Sequence, residues 1–274
     1  MQGDVERSEA MGVPLTTERL DAAQVRLNLG TQIIGQRVVC LDQVSSTMDV
    51  ARSEAEKGAP DGTVVVAEEQ TAGRGRFKRE WLSPRGEDLL FSVVLRPRLH
   101  QMPGVNMAAT LAVLHTAAKV AGLAPTLKWP NDVRVDGKKL CGILVEDVLE
   151  KAEVRFAIVG VGLNVNMDAA RYPEIAETAT SLATAAGRRF SRLLVLRTVL
   201  QEMDRLYVAM RRGESPYADW RANLETLGKR VQVRWQDTVD EGVASDVDVQ
   251  GNLVLTKADG TSVTLVAGEV TLQV

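Results

Sequence analysis

The sequence predicts an α+β fold in two unequal parts, a large one with helices and strands interspersed and a small all-β one at the C-terminus. Three observations lead there. Up to about Leu227, short β-branched apolar runs that read as strands are mixed with longer stretches of three- and four-residue spacing that read as helices. After Gly228 the helical spacing stops, and short alternating segments bounded by turn residues take over. The length of 274 residues corresponds to about two domains at ~150 residues each.

The elements follow in order. Residues 1–15 are polar and read as loosely attached, within an N-terminal segment 1–30. Leu20, Ala23 and Leu27 share helical spacing, with Gly30 as a stop. Val38 to Leu41 reads as a strand. Ser46 and Asp49 form the S-x-x-D start of a helix that runs to about Lys57 and closes at Gly58. Thr63 to Ala67 is a strand, Glu69 to Trp81 a loop rich in glycine and arginine, and Leu89 to Leu95 another strand. Met107, Leu111, Leu114 and Ala118 mark the face of a helix ending at Gly122. Leu127 to Trp129 is a short strand broken by Pro130, Asn131 and Asp132. Val133 to Val135 and Lys139 to Glu146 flank Asp136-Gly137, a hairpin signal. Val154 to Gly160 completes the strands of the large part, residues 31–227. Leu193 to Met210 and Pro216 to Leu227 read as its last helices. In residues 228–274, strands are expected at Val231–Trp235, Gly242–Val249, Leu253–Thr256 and Ser262–Val266.

Composition narrows the function classes. Lysine plus arginine number 33 against 36 aspartate plus glutamate, a net charge of -3, and this lacks the basic surplus of a dedicated nucleic-acid binder. Cys40 and Cys141 both lie in apolar runs and read as buried thiols in a reducing compartment. His100 and His115 join no cluster with zinc-ligand spacing. The start has no apolar signal core, and Val105 to Pro125 is interrupted by His115 and Lys119, so a buried helix and a cytoplasmic protein are expected.

Four segments carry chemistry. Between Gln70 and Trp81, four cations (Arg74, Arg76, Lys78 and Arg79) fall within six positions, beside Gly73 and Gly75. Glycine lets the backbone approach an anion, and arginine supplies forked donors for phosphate or carboxylate, although a solvated charged loop would look similar. No Walker loop is present. Lys128-Trp129-Pro130-Asn131-Asp132 reads on its own as a turn. Lys139 opens the apolar strand through Leu140, Cys141, Gly142, Ile143 and Leu144, and taken alone could face inward or outward. Gly160-Val161-Gly162-Leu163-Asn164 begins like a dinucleotide fingerprint, but Val165 stands where its last glycine belongs.

In this order the four segments, together with Ser46-Thr47 and the terminal Ala267-Gly268-Glu269-Val270, resemble the biotin–protein ligase family over about residues 35–274. The resemblance implies a mixed β-sheet catalytic domain flanked by helices, class II synthetase-like, and a small C-terminal SH3-like β-barrel. It implies a ligase that joins biotin and Mg-ATP into biotinoyl-AMP, then passes biotin to a lysine of a biotin carboxyl carrier protein, the acetyl-CoA carboxylase subunit. Biotin and Mg-ATP are then substrates, Mg²⁺ is required, and no bound prosthetic group, DNA or membrane is expected; the protein is a monomer or homodimer. By resemblance, Ser46, Thr47, Gln70, Arg74, Gly75, Arg76 and Lys139 bind biotin. Arg76, Arg79, Trp81, Asn131, Lys139 and Asn164 bind ATP or the adenylate, with Asn131 near the metal. Arg74, Arg76, Lys139 and Asp132 are the catalytic set.

These residue types suit that chemistry. A carboxylate is already ionised at pH 7, so its attack on a phosphate needs cations and alignment rather than a base. The acceptor lysine, with a pKa of ~10.4, is neutral in only about one molecule in 2,500 at pH 7 and needs a proton acceptor, for which Asp132 is the candidate. The glycine-rich loop, residues 73–80, is expected to close over the adenylate and exclude water. The family loop usually reads Gly-Arg-Gly-Arg-Arg-Gly-Arg; here Phe77 and Lys78 occupy its fifth and sixth positions, and Met48 replaces the common Asn. With 45 residues before Ser46, a winged helix-turn-helix of about 60 residues does not fit there. A lipoate ligase on the same scaffold and a non-catalytic biotin- or adenylate-binding regulator remain the alternatives.

Overall fold

The computed structural model describes residues 19–272, so the expectation for residues 1–15 lies outside the described residues. Seven strands form the larger sheet: β1 (Val38–Val44), β2 (Val64–Gln70), β3 (Leu89–Leu95), β4 (Thr126–Lys128), β5 (Asp132–Val135), β6 (Lys138–Glu150) and β7 (Glu153–Leu163). Their order is β1-β2-β3-β7-β6-β5-β4. Only the β1–β2 pair is parallel, so the sheet is mixed.

Six α-helices lie among the described residues: α1 (Ala22–Arg26), α2 (Thr47–Glu56), α3 (Met102–Ala121), α4 (Leu182–Ala186), α5 (Arg192–Arg211) and α6 (Tyr217–Ala222). The sheet is covered on both sides, which explains its continuous apolar strands. Val64 and Val66, Phe91 and Val93, and Val159 and Val161 point into the core built with α3 and α5. Val65, Val94, Phe156 and Ile158 point the other way, against Met48, Ala51 and Ala55 of α2. Because side chains alternate along a strand, the residues beyond Ile158 on the α2 face are Gly160 and Gly162. Their neighbours on that face are Ser92, opposite Gly160, and Gly142, opposite Gly162. Thus α2 covers part of the sheet face, and where it stops the face turns from large apolar side chains to glycine and a hydroxyl.

The local signals explain most boundaries. Ser46 caps α2 by accepting from the Met48 N–H, while Asp49 is turned to Arg74 rather than back to the cap. Asp136 and Gly137 take φ of +49° and +76°, the left-handed pair that a two-residue hairpin turn needs. Lys151 and Ala152 make a second such turn at +49° and +66° without glycine, so the β6–β7 hairpin runs beyond Glu146 unannounced.

Several expectations are corrected. Helix α1 ends at Arg26, short of Gly30, and its buried residue is Val25, with Leu20 and Leu29 buried in the chain on either side; Leu27 is 63% exposed. Helix α6 stops at Ala222 rather than Leu227. The following chain is drawn into a bridge with β4, in which Leu127 N–H donates to Asn223 O and Glu225 N–H donates to Leu127 O. Helix α4, capped by Ser181 and closed by Gly187, was not anticipated. Cys40 is only partly buried, whereas Cys141 is fully buried.

The C-terminal part is an antiparallel five-stranded sheet of β8 (Arg230–Trp235), β9 (Thr238–Val247), β10 (Leu253–Thr256), β11 (Ser262–Leu265) and β12 (Glu269–Leu272), in the order β11-β10-β9-β8-β12. Its last strand was not anticipated as such. Val231, Val233, Leu253, Leu255 and Val270 are buried. Trp129 ties this sheet to the rest by donating its indole N–H to Gly251 O at 2.8 Å, and Arg221 pairs with Asp246 at 2.7 Å. No helix among the described residues is long and apolar enough to cross a membrane.

Candidate active site

The glycine floor lies under a cavity of about 510 Å³. Every residue to which the sequence assigns a site role lines it: Ser46, Thr47, Gln70, Arg74, Gly75, Arg76, Arg79, Trp81, Asn131, Asp132, Lys139 and Asn164. These residues come from α2, β2, the loop after it, the turn between β4 and β5, and the ends of β6 and β7. The topology brings them together because β3, β7, β6 and β5 are consecutive neighbours in the sheet.

At one end, Thr47 donates both its backbone N–H and its hydroxyl to Gln70 Oε1, at 2.7 and 3.0 Å. That leaves the Ser92 hydroxyl to donate to Thr47 Oγ1 across 2.8 Å. A neutral polar end is thereby fixed beside Ser46. Met48 lies on the floor; a Cβ at Gly160 would stand 2.6 Å from its Sδ.

The loop forms an arch over the floor. The Gly75 N–H donates to Arg79 O at 2.8 Å and the Trp81 N–H to Gly73 O at 3.0 Å, with a β-bridge between Arg74 and Glu80. Arg74 pairs with Asp49 at 2.7 Å. Arg79 grips both carboxylate oxygens of Glu269, at 2.6 and 2.8 Å. Trp81 folds back onto the floor: a Cβ at Gly162 would stand 2.4 Å from its Cε2, and one at Gly142 2.8 Å from its Cζ3. Its buried indole N–H has no partner among the described residues. Glycine in a strand marks such a close approach.

The cationic wall is made of Arg76, Lys128 and Lys139. Arg76 donates to Asn131 Oδ1 at 3.2 Å, and the Asn131 amide donates in turn to Ile143 O. Lys139 does face inward. Its Nζ is 2.8 Å from Asp132 Oδ1 and 5.4 Å from the Trp81 ring centre. Burial holds the Arg76 guanidinium below its ordinary pKa, opposed by the carboxylates of Asp132 and Glu269. Burial likewise lowers Lys128, against Asp132. Both are cations whose charge is incompletely solvated, and an anionic ligand would relieve that.

Asn164 closes the far end. Its amide donates to Thr180 O at 2.8 Å, and its buried Oδ1 accepts nothing among the described residues. The chain beside it is held by Asp88, whose Oδ1 accepts from the Val165 and Met167 N–H groups at 2.8 and 3.3 Å. Burial pushes the Asp88 carboxyl up to about 6, against those hydrogen bonds and one from Ser83.

Sequence reasoning gave no site role to Lys128, Glu269 or Ser92. Lys128 stood inside a quoted motif, and Ser92 is the lone hydroxyl in an apolar strand; both were available signals. Glu269 reaches the site only because the C-terminal sheet packs there, which no local pattern reveals.

Residues 40–164 match the Biotin/lipoate A/B protein ligase family, and residues 226–272 match the Biotin protein ligase C terminal domain. The chain is 36% identical over 247 residues to the bifunctional ligase/repressor BirA of Bacillus subtilis, covering 88% of this chain and 76% of that one. It is 35% identical over 259 residues to the biotin--[acetyl-CoA-carboxylase] ligase of Mycobacterium tuberculosis, covering 89% and 93%. The solved biotin protein ligase of Aquifex aeolicus in complex with biotin and ATP superposes with a TM-score of 0.72 at 29% identity, covering 87% of this chain and 99% of that one. The matched segments contain the glycine floor, the arginine arch, the cationic wall and the strand carrying Glu269, and on these grounds the chain belongs to the biotin protein ligase family.

Proposed function

We propose that this protein couples biotin to ATP as biotinoyl-AMP and then transfers the biotinoyl group to one lysine of a biotin carboxyl carrier protein, the acetyl-CoA carboxylase subunit. The observation that carries the reading is the cavity itself, in which a glycine floor with a neutral polar end adjoins a wall holding Arg76, Lys128 and Lys139. An uncharged bicyclic head fits the first part, and a carboxylate facing a triphosphate fits the second.

In the first step the biotin carboxylate attacks the α-phosphorus, a bond to oxygen forms, and pyrophosphate leaves. Mutual repulsion of the two anions is the main barrier, and preset positive charge lowers it. Lys139 sits where it meets both the carboxylate and the new phosphoester, and Asp132 holds its ammonium in place at 2.8 Å until they arrive. Arg76 is oriented by Asn131 toward the same point. When bound, Mg²⁺ supplies further charge neutralisation. Asn164 Oδ1, a buried acceptor without a partner among the described residues, is the protein oxygen that fits it or its water. Asn131, the sequence-based candidate, accepts from Arg76 at 3.2 Å and keeps a second lone pair on its Oδ1 for the same ion.

In the second step a neutral lysine amine attacks the acyl carbon and AMP departs. Once Lys139 turns to the phosphoester, the Asp132 carboxylate is free to take the proton of the incoming ammonium. The test is release of pyrophosphate with each substrate pair. Release should require biotin and ATP together and should not occur with lipoate. Lipoate-dependent release would favour the lipoate-ligase alternative, and no release with either would favour a regulator.

A further inference from the structure

Phe77 stands at the tip of the arch with φ +56° and ψ +34°, the left-handed region that bulky side chains avoid. Such a conformation persists only where surrounding contacts over-determine it. Two such contacts are present. The Arg76 guanidinium lies over the Phe77 ring, 4.8 Å from its centre, and the Phe77 and Trp235 rings meet edge-on with centres 6.0 Å apart and planes at 67°. Trp235 ends β8, and the residue before it, Arg234, is the ladder partner of Glu269, which holds Arg79. The arch is therefore pinned at two points, three and five residues after Arg74, to one corner of the C-terminal sheet. Its feet are fixed by the Gly73–Trp81 backbone bond on the catalytic side.

We propose that Phe77 and Trp235 form an aromatic latch that holds the arch shut over the cavity and keeps water from the reaction intermediate. They are positioning residues: neither supplies charge or a proton to the reaction. The reading rests on the proposed adenylate chemistry. Biotinoyl-AMP is a mixed anhydride; if water enters, its oxygen bonds to the acyl carbon, the acyl–phosphate oxygen bond breaks, and biotin and AMP leave without transfer. Pinning the arch by its tip makes closure depend on the C-terminal sheet. It also gives Phe77 a task that a glycine or a charged residue at that place would not perform.

The experiment supplies the full-length protein with biotin and Mg-ATP and measures pyrophosphate and AMP separately, with and without a carrier domain. Wild-type protein should release pyrophosphate but retain the adenylate, so that AMP lags until carrier is added. Failure of the wild type to release pyrophosphate would sink the ligase reading, whatever the latch does. Given a working wild type, Trp235→Ala and Phe77→Ala should each raise carrier-independent AMP formation per pyrophosphate by about three- to tenfold, the scale of one aromatic pair. The double variant should leak no more than either single one, and Trp235→Phe should restore retention. Thermal unfolding of each variant identifies any loss that comes from misfolding. Unchanged leakage in folded variants, additive effects in the double variant, or a change confined to the KM for carrier would overturn the proposal.

Discussion

Replacing Gly162 with alanine would place a methyl group 2.4 Å from Trp81 Cε2, 2.7 Å from its Nε1 and 2.8 Å from its Cδ2. Ordinary carbon–carbon contact needs about 3.5 Å or more, so the rigid indole must shift by roughly 1 Å or leave the floor. Adding a methyl group to a packed site costs about 1–3 kcal/mol. Trp81 is half-buried on a loop rather than locked in the core, so the low end of that range applies. A loss of ~1 kcal/mol lowers Tm by about 2–4 °C in a chain of this size. Function should suffer more, because the proposed function puts the substrate beside this floor, and a displacement of about 1 Å in a reacting pair can cost ~100-fold in rate. Gly162→Ala should therefore lower kcat/KM for biotin in pyrophosphate release by about 100-fold, with only a small shift in Tm. In a Trp81→Ala background the stability cost of the same methyl should vanish. A Gly162→Ala protein within twofold of wild type in kcat/KM would refute the assignment of this floor as the biotin site.

Other outcomes follow from the same geometry. Asp132→Asn should keep pyrophosphate release within about tenfold while slowing transfer to carrier by ~100-fold or more, the scale of general base catalysis; equal effects on both steps, or none, would remove Asp132 as the proton acceptor. Asp88 titrates higher in the folded state, at about 6. Its contribution is therefore fully present below its unfolded value near 4 and is lost as pH rises through 6. Two units correspond to ~3 kcal/mol at most, so wild type should lose up to that much stability relative to Asp88→Asn between pH 4 and 7 in urea unfolding; parallel stability curves would contradict this. Limited proteolysis within residues 73–80 should slow when biotin and ATP are both present, and equal cleavage with and without them would argue against closure.

The sheet and its long helices were legible because their signals are local. Short β-branched apolar runs mark the strands, Ser46 and Gly122 mark helix ends, and Asp136-Gly137 marks a hairpin. The misread elements are those decided by distant contacts. Helix α6 ends early because Leu127 captures Asn223 and Glu225, and the hairpin at Lys151 and Ala152 lacks the glycine that would announce it. Strand β12 exists because β8 offers it an edge. For the site, the arginines of the arch and Lys139 were visible as cations amid glycine or apolar residues. What could not be read was the pairing: Arg74 with Asp49, Arg79 with Glu269, Lys139 with Asp132. The meaning of the glycines in β6 and β7 was also hidden, because only the register of the assembled sheet puts Gly142, Gly160 and Gly162 on one face.

The most direct measurement of the central claim is the mass of a biotin carboxyl carrier domain after incubation with the protein, biotin and Mg-ATP, followed by mapping of the modified residue. The account predicts one biotin-sized increment on a single lysine, dependent on ATP and abolished together with pyrophosphate release in Lys139→Ala. A carrier of unchanged mass in the presence of active, folded protein, or full modification by Lys139→Ala, would contradict it.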